Sequence, residues 1–367
     1  MATKQVPEVQ VPNWQALCLP ASVSSSGKAI DPAAQGLLVE ITEEGGVRVT
    51  GTDLGLWGIG LYGEGGVARW AGVVPARAAA VPGTVTLTPE ADGLRLTCGD
   101  GASYRLATLG SDHFPPAPVV GGEPTYVPDL VTALAATTPA VSSDPSVLAL
   151  CGVLLEATGE AVGSTGFVVH ATGHGGGVAE TVILAKRLVE ATLAVAGPVR
   201  GAYLVTQPPS EEAVGTAEIS GVAPGEISWW MVGKTVGEKY PRWRKLTTAT
   251  RRPLGVVAGG DLADAVAKAT LLAEAHVPLV DLVFGKEGLA VYLHGDPTGQ
   301  EASGALVGVD GDGGRESQVL VEAVALRAAL AAAGAGRMSL ATTEQGLVIE
   351  LEGFLAVVSF AGDEEGP

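Results

Sequence analysis

The chain has 367 residues, a length that suits two or three domains better than one core. Its 52 glycines, 23 prolines and 17% charged residues point to many turns between short apolar segments, as in a β-rich soluble protein, and no run approaches a membrane span. A formal charge of −18 argues against a protein that simply coats DNA, because phosphate neutralisation supplies most non-specific affinity. The first residues, with Lys4 and then Glu8, contain no apolar secretory core, so a cytoplasmic location is expected. Cys18, Cys98 and Cys151 are odd in number and lack ligand spacing, which reads as free thiols.

In chain order, residues 12–26 form a weakly amphipathic segment around Trp14, Leu17 and Leu19, interrupted by Pro20. Residues 36–40 and 47–53 then read as two strands joined by a turn at 43–46. Val73-Val74-Pro75-Ala76-Arg77 opens a short helix, because Pro75 suits a helix start and Pro82 cannot continue one. Three alternating strands follow at 84–88, 94–98 and 103–109, each with one apolar face, before His113-Phe114-Pro115-Pro116. The pattern then replays. Residues 126–141 are expected as a helix with Leu130, Leu134 and Val141 inward; 152–156 echoes 36–40, 168–172 echoes 47–52, and 182–187 echoes 73–77. A second meander is expected at 201–207, 214–220 and 227–232. The third copy is fainter, with a helix at 262–273 capped by Asp261, a hairpin at 279–284 and 289–293, a helix at 323–333, and strands at 338–342, 347–351 and 355–360. Self-similarity at this long period predicts an α+β fold of three tandem units, residues 1–120, 121–248 and 249–367, with boundaries in the Pro/Gly-rich 115–124 and the polar 247–253.

Two phrases carry a family resemblance. The first is the Val73 to Arg77 helix start followed by Gly101-Ala102-Ser103-Tyr104-Arg105-Leu106 and the Phe114-Pro115 exit; the second is Gly237-Glu238-Lys239-Tyr240-Pro241-Arg242-Trp243-Arg244. In order and position they resemble bacterial DNA polymerase III sliding clamps (the β subunit). The resemblance covers the first two units well and the third mainly by order of elements.

It implies head-to-tail homodimers whose six domains close a ring around duplex DNA, with sheets outside and helices lining the hole. A polymerase is then tethered by topology, so the ring needs only closure and a slippery basic lining. An acidic exterior is no contradiction, since it discourages DNA from sticking to the outer face. Candidate lining residues are the bases on or beside helices: Lys28, Arg77, Lys186, Arg187, Lys268 and Arg327. For the dimer, the resemblance implies that edge strand 103–109 meets the third unit of the partner, with Tyr104 near Leu271 and Leu272. Short linear peptides of the polymerase, clamp loader and repair proteins would enter an apolar groove between the second and third units. Carried over by position, that groove implicates Leu150, Thr172, Gly173, His174, Val178, Pro241, Leu246, Val357, Val358 and Phe360. Here the family's Asp-Gly-His-Arg becomes Gly173-His174-Gly175, and its methionine-rich terminus becomes Val357-Val358-Ser359-Phe360, which implies a narrower repertoire of peptides.

Signals for other chemistry are weak. Gly58-Ile59-Gly60-Leu61-Tyr62-Gly63 fits a dinucleotide fingerprint literally, but it lies in a strand-like segment and opens no helix. His174-Gly175-Gly176-Gly177 looks like an esterase oxyanion strip without a nucleophile elbow, and His170 and His174 are spread apart on a strand. Asp310-Gly311-Asp312-Gly313 starts like a calcium loop but lacks its closing glutamate. The expectation is therefore a non-catalytic accessory subunit without cofactor or metal. The alternatives are a diverged clamp-fold paralogue (phage, resistance or repair related) that binds a protein partner without serving the replicative polymerase, and a hydrolase on an unrelated β-rich fold.

Overall fold

The computed structural model describes residues 8–25, 32–209, 214–223, 225–271, 273, 277–294, 307–310 and 317–361. Lys28, Leu272 and most of the acidic turn after Asp310 lie outside these. The chain begins with β1 (Val9–Val11), α1 (Trp14–Ser24), β2 (Gly36–Thr42), β3 (Val47–Thr52), β4 (Leu56–Tyr62), β5 (Ala68–Pro75), a 3₁₀ turn (Ala76–Ala80), β6 (Val85–Glu90), β7 (Gly93–Cys98) and β8 (Ser103–Ala107). Next come β9 (Thr125–Val127), α2 (Leu130–Thr137), β10 (Gly152–Leu155), β11 (Glu160–Ser164), β12 (Val168–Gly173), β13 (Val182–Ala185), α3 (Lys186–Ala196), β14 (Ala202–Gln207), β15 (Thr216–Ala223) and β16 (Ile227–Lys234). The last part holds α4 (Arg244–Thr247), β17 (Arg252–Ala258), α5 (Gly259–Ala269), β18 (Leu279–Gly285), β19 (Gly288–Leu293), β20 (Ser317–Glu322), α6 (Ala323–Ala333), β21 (Arg337–Thr342), β22 (Gly346–Leu351) and β23 (Phe354–Ser359).

These elements build an α+β fold of antiparallel sheets. One eight-stranded sheet runs β5-β2-β3-β4-β16-β15-β14-β9, and the other runs β13-β10-β11-β12-β23-β22-β21-β17. The smaller sheets are β1-β6-β7-β8 and β19-β18-β20. Each large sheet is joined across sequence-distant segments, by β4 on β16 (Ile59 opposite Trp230) and by β12 on β23 (Val169 opposite Val357). The chain accordingly clusters into two compact units, Met1–Val131 with Leu184–Gly237, and Thr132–Ile183 with Glu238–Pro367.

In the first unit, Trp14, Leu17, Leu37, Ile41, Leu87 and Leu96 are among the fully buried core residues. Asn13 caps α1 by accepting from the Ala16 amide at 3.1 Å, and Trp14 Nε1 donates to the Ala78 carbonyl at 2.8 Å, tying α1 to the 3₁₀ turn. The helix keeps Pro20 inside it, and it lies backbone-close on the sheet. A Cβ on Gly51, Gly58 or Gly60 would come within 2.0, 1.9 or 2.1 Å of the carbonyl oxygens of Ala21, Pro20 and Leu17. The literal dinucleotide pattern is therefore a seat for α1. Successive residues of a strand point to opposite faces, so Ile59 and Leu61 face away from the helix. In the second unit Gly163 repeats the device against the Thr137 carbonyl at 2.1 Å, and a separate core gathers Val266, Leu282, Leu326, Met338 and Ile349.

The sequence reading needs several corrections. Residues 125–127 form a strand, with Tyr126 opposite Tyr203, because Pro128 separates them from the helix that starts at Leu130. α5 begins at Gly259 and ends at Ala269, so Asp261 lies in its first turn and Leu271 lies beyond its end; the Thr270 hydroxyl takes the Val266 carbonyl at 2.8 Å as the helix closes. Residues 9–11, 160–164 and 252–258 are strands that periodicity did not show. The last of these carries Pro253 on a sheet edge beside a bulge, where a missing N–H is tolerated.

Candidate functional site

Six helical elements differ in charge from the rest of the chain. α1, the 3₁₀ turn, α2, α3, α5 and α6 hold five of the 22 bases (Arg77, Lys186, Arg187, Lys268 and Arg327) but only three of the 40 acids, Glu190, Asp261 and Asp264. The acidic excess therefore lies outside these helical elements. Arg77, Arg187, Lys268 and Arg327 are exposed and Lys186 is half-buried. Two of these charges are locally offset: Arg187 forms an ion pair with Asp53 in its own unit, and Lys268 shares the exposed face of α5 with Asp261 and Asp264. Arg77 and Arg327 have no charged partner among the described residues.

Residues expected in the peptide groove are all in the second unit, and the structure sorts them by depth. β12 and β23 are neighbours, which brings Val168 opposite Val358 and Val169 opposite Val357. Val358 belongs to the core, and Phe360 packs on that same core from a bridge to Val321. Leu150, Val178 and Val357 are also buried, while Thr172 and Leu246 are half-buried and Gly173 and Pro241 are exposed. The Thr172 hydroxyl donates to the Gly353 carbonyl at 2.6 Å.

His174 sits at the base of this region. It is fully buried, with its ring nitrogens 2.9 Å from the Glu156 carbonyl and 3.3 Å from the Gly176 carbonyl. Gly175, Gly176 and Gly177 have φ of 80°, 85° and 87°, three left-handed residues in a row that wrap the backbone around the imidazole. A motif that resembled an oxyanion strip is thus a loop folded around one histidine. His170 is buried separately, with Nδ1 3.0 Å from the Ala136 carbonyl and its ring edge-on to Phe354; burial holds its pKa below the ordinary value.

The segment after Gly237 crosses this region and is held firmly. Tyr240 Oη donates to the Val162 carbonyl at 3.4 Å, and burial pushes its pKa up. Glu156 accepts from Trp243 Nε1 at 3.4 Å and from Arg244 at 2.8 Å, Arg244 also reaches Glu160 at 3.1 Å, and its guanidinium stacks 4.6 Å above the Trp243 ring. Arg251 pairs with Glu350. Sequence reasoning missed the exposed apolar residues nearby. Phe167 is 74% exposed, and its carbonyl accepts from Ser359 at 2.9 Å, while the adjoining Gly166 lies against Leu150. Val147 and Leu148 are exposed just before Leu150. The one available signal was a phenylalanine following the turn-forming Thr165-Gly166.

Of the expected dimer residues, Tyr104 and Leu271 are solvent-facing in the single chain. β8 is an edge strand with Tyr104 exposed, and Leu271 is 78% exposed. Among the described residues no helix is long and apolar enough to cross a membrane, and no cluster of His, Cys, Asp or Glu is arranged to hold a metal.

This architecture, with two eight-stranded antiparallel sheets in an α+β chain, is the fold of the DNA sliding clamps. In particular, it is the fold of bacterial DNA polymerase III β subunits. The chain is similar to the β subunit of Thermotoga maritima (16% identity, TM-score 0.78, covering 97% of this chain and 99% of that one) and to the Bacillus subtilis sliding clamp (15%, 0.78, 97% and 99%). It is also similar to the Helicobacter pylori β clamp, solved bound to a DNA ligase peptide (15%, 0.75, 97% and 100%). No protein-family model and no curated protein matches the sequence.

Proposed function

We propose that this protein is a DNA sliding clamp, a non-catalytic processivity factor of the cytoplasm that encircles duplex DNA and tethers a polymerase. The observation that carries the reading is coverage: the clamp fold extends over 97% of this chain and 99% of the T. maritima β subunit. The low acid content of the helices supports a basic lining made by Arg77, Lys186, Arg187, Lys268 and Arg327, together with Lys28. In this reading the chain has three clamp domains, 1–120, 121–248 and 249–367. Two copies close head to tail, and the edge strand β8 with Tyr104 meets Leu271 and Leu272 of the other copy. Closure of this kind also covers an edge that otherwise invites aggregation.

Partners enter through short peptides at the surface formed by Leu150, Thr172, Gly173, Pro241 and Leu246, with Phe167 as an apolar wall, over a floor of His174, Val178 and Val357. A peptide bound to the H. pylori clamp supports this mode of recognition. Val358 and Phe360 serve the core beneath it.

Retention on DNA tests the function. Protein loaded onto nicked circular DNA by the host's clamp loader should stay bound in high salt and be released when the circle is cut. Equal retention on linear DNA, or none on circles, would overturn the reading.

A further inference from the structure

A cavity of about 550 Å³ lies in the first unit, on the face of the large sheet opposite α1. Its floor is made by Ile59 and Leu61 of β4 and Trp230 of β16, and its roof is the strap Phe114-Pro115-Pro116-Ala117. Strand register places these floor residues on one face. Ile59 pairs with Trp230, Arg48 pairs with Leu61, and Glu218 sits one rung along from Trp230, opposite Val232. The strap stands clear of the sheet for a reason legible in its composition. Phe114 and Val120 are buried and anchor its two ends, whereas Pro115, Pro116 and Pro118 have no N–H to offer the sheet and hold fixed φ angles. Among the described residues no backbone hydrogen bond ties 115–120 down.

The corresponding segment of the second unit, after Gly237, is pinned by Tyr240, Trp243, Arg244 and Arg251. One strap is fastened to its sheet and the other roofs an open space, of a volume usual for ligand sites.

Charge selects the occupant. The lining has two carboxylates and one base: Glu40 is paired with Arg48 at 3.6 Å, but half-buried Glu218 has no hydrogen-bond or ion-pair partner among the described residues. Burial raises the pKa of the Glu218 carboxyl, the mark of a carboxylate short of compensation. An apolar floor with one uncompensated carboxylate beside a tryptophan face matches a cation on an apolar stem, since a guanidinium both stacks on indole and forks onto a carboxylate.

We propose that this cavity is a second docking site, which receives an arginine side chain flanked by apolar residues in an extended segment of a partner protein. Arg places its guanidinium between Glu218 and Trp230, and the flanking side chains fill the space beneath the prolines. The site is separate from the peptide groove of the second unit and does not depend on the clamp reading.

The test is calorimetric titration of the full-length protein with acetyl-Leu-Arg-Phe-amide and with its citrulline analogue, which keeps the shape and loses the charge. The arginine peptide should bind about tenfold or more tightly than the citrulline one, as expected for a charge-assisted pair. In Glu218→Gln the two peptides should bind equally and weakly, and in Trp230→Ala both should weaken, with circular dichroism confirming that each variant is folded. A Leu246→Asp variant, altered in the other groove, should bind the arginine peptide as the parent does. Equal affinity for the two peptides, no saturable binding of either, or an unchanged preference in folded Glu218→Gln would each overturn the proposal.

Discussion

At the scale of single residues, the chain depends on a few positions where backbone meets backbone or a polar ring is sealed inside. Gly58 is one, because its missing Cβ leaves room for the Pro20 carbonyl at 1.9 Å. Gly58→Ala is expected to push α1 off β4 and lower stability by about 2 kcal/mol or more, read as a shifted urea midpoint with unchanged slope. Ala at exposed Gly99, where nothing lies within 4 Å of a Cβ, should change little. His170 gives a pH signature. Burial depresses its folded-state pKa, with the Ala136 hydrogen bond opposing more weakly, so the unfolded chain takes up a proton first as pH falls. Stability should thus decline as pH drops below the unfolded value of about 6.5, and His170→Leu should flatten that decline in melting curves taken between neutral and mildly acid pH. An equal decline in the variant would assign the acid sensitivity elsewhere. Cys18 is sealed in the core, where burial raises its pKa well above the ordinary thiol range, so it should resist alkylation in the folded protein while half-buried Cys151 reacts first.

At the scale of elements, the same strand-and-strap arrangement appears twice with different fastening. Glu156 accepts from both Trp243 and Arg244, and its removal leaves two donors of the segment after Gly237 without that acceptor. Glu156→Ala should raise amide exchange severalfold across residues 240–247 while exchange in β22 stays at the parent rate; uniform change through the second unit would mean global destabilisation instead. Arg244 is about half exposed, so these ion pairs secure a segment more than they add to overall stability. The helices show a similar division of labour. Arg187 is already compensated by Asp53, whereas Arg327 has no charged partner among the described residues, so Arg327→Gln should weaken DNA association more than Arg187→Gln. Each should reduce the slope of log affinity against log salt by about one unit at most, and no change in either would remove these bases from the lining.

At the scale of the molecule, the acidic excess and the ring proposal fit together if the helices alone face DNA. Acids carried away from those helices would repel duplex, leaving enclosure as the way to be held. Ring closure needs two unlike surfaces on each copy. Leu271, 78% exposed just past α5, and Tyr104 on the edge strand β8 are the exposed apolar groups expected at that contact. Leu271→Ala with Leu272→Ala should give a folded monomer by analytical ultracentrifugation and lose retention on circular DNA. A dimer of unchanged affinity would move the interface elsewhere.

Local signals in the sequence determined the elements that close on themselves. The meanders were legible because alternation writes one apolar face per strand, as in Val85 and Leu87 opposite Cys98 and Leu96, and α6 keeps its expected bounds because Gly334 ends it. The α+β class and the resemblance to clamps follow from such local order. What only the tertiary structure decided is which distant strands meet: nothing in 56–62 names 227–234 as its neighbour, since antiparallel pairing leaves its mark on backbone amides that every residue carries. The groove suffered most from this. Val357 and Val358 look alike in sequence, yet adjacent residues of a strand point to opposite faces, and only the placement of β23 beside β12 sends Val358 into the core. Likewise the prolines at 115–118 announced a linker, while the cavity beneath them exists because two distant strands, β4 and β16, supply its floor.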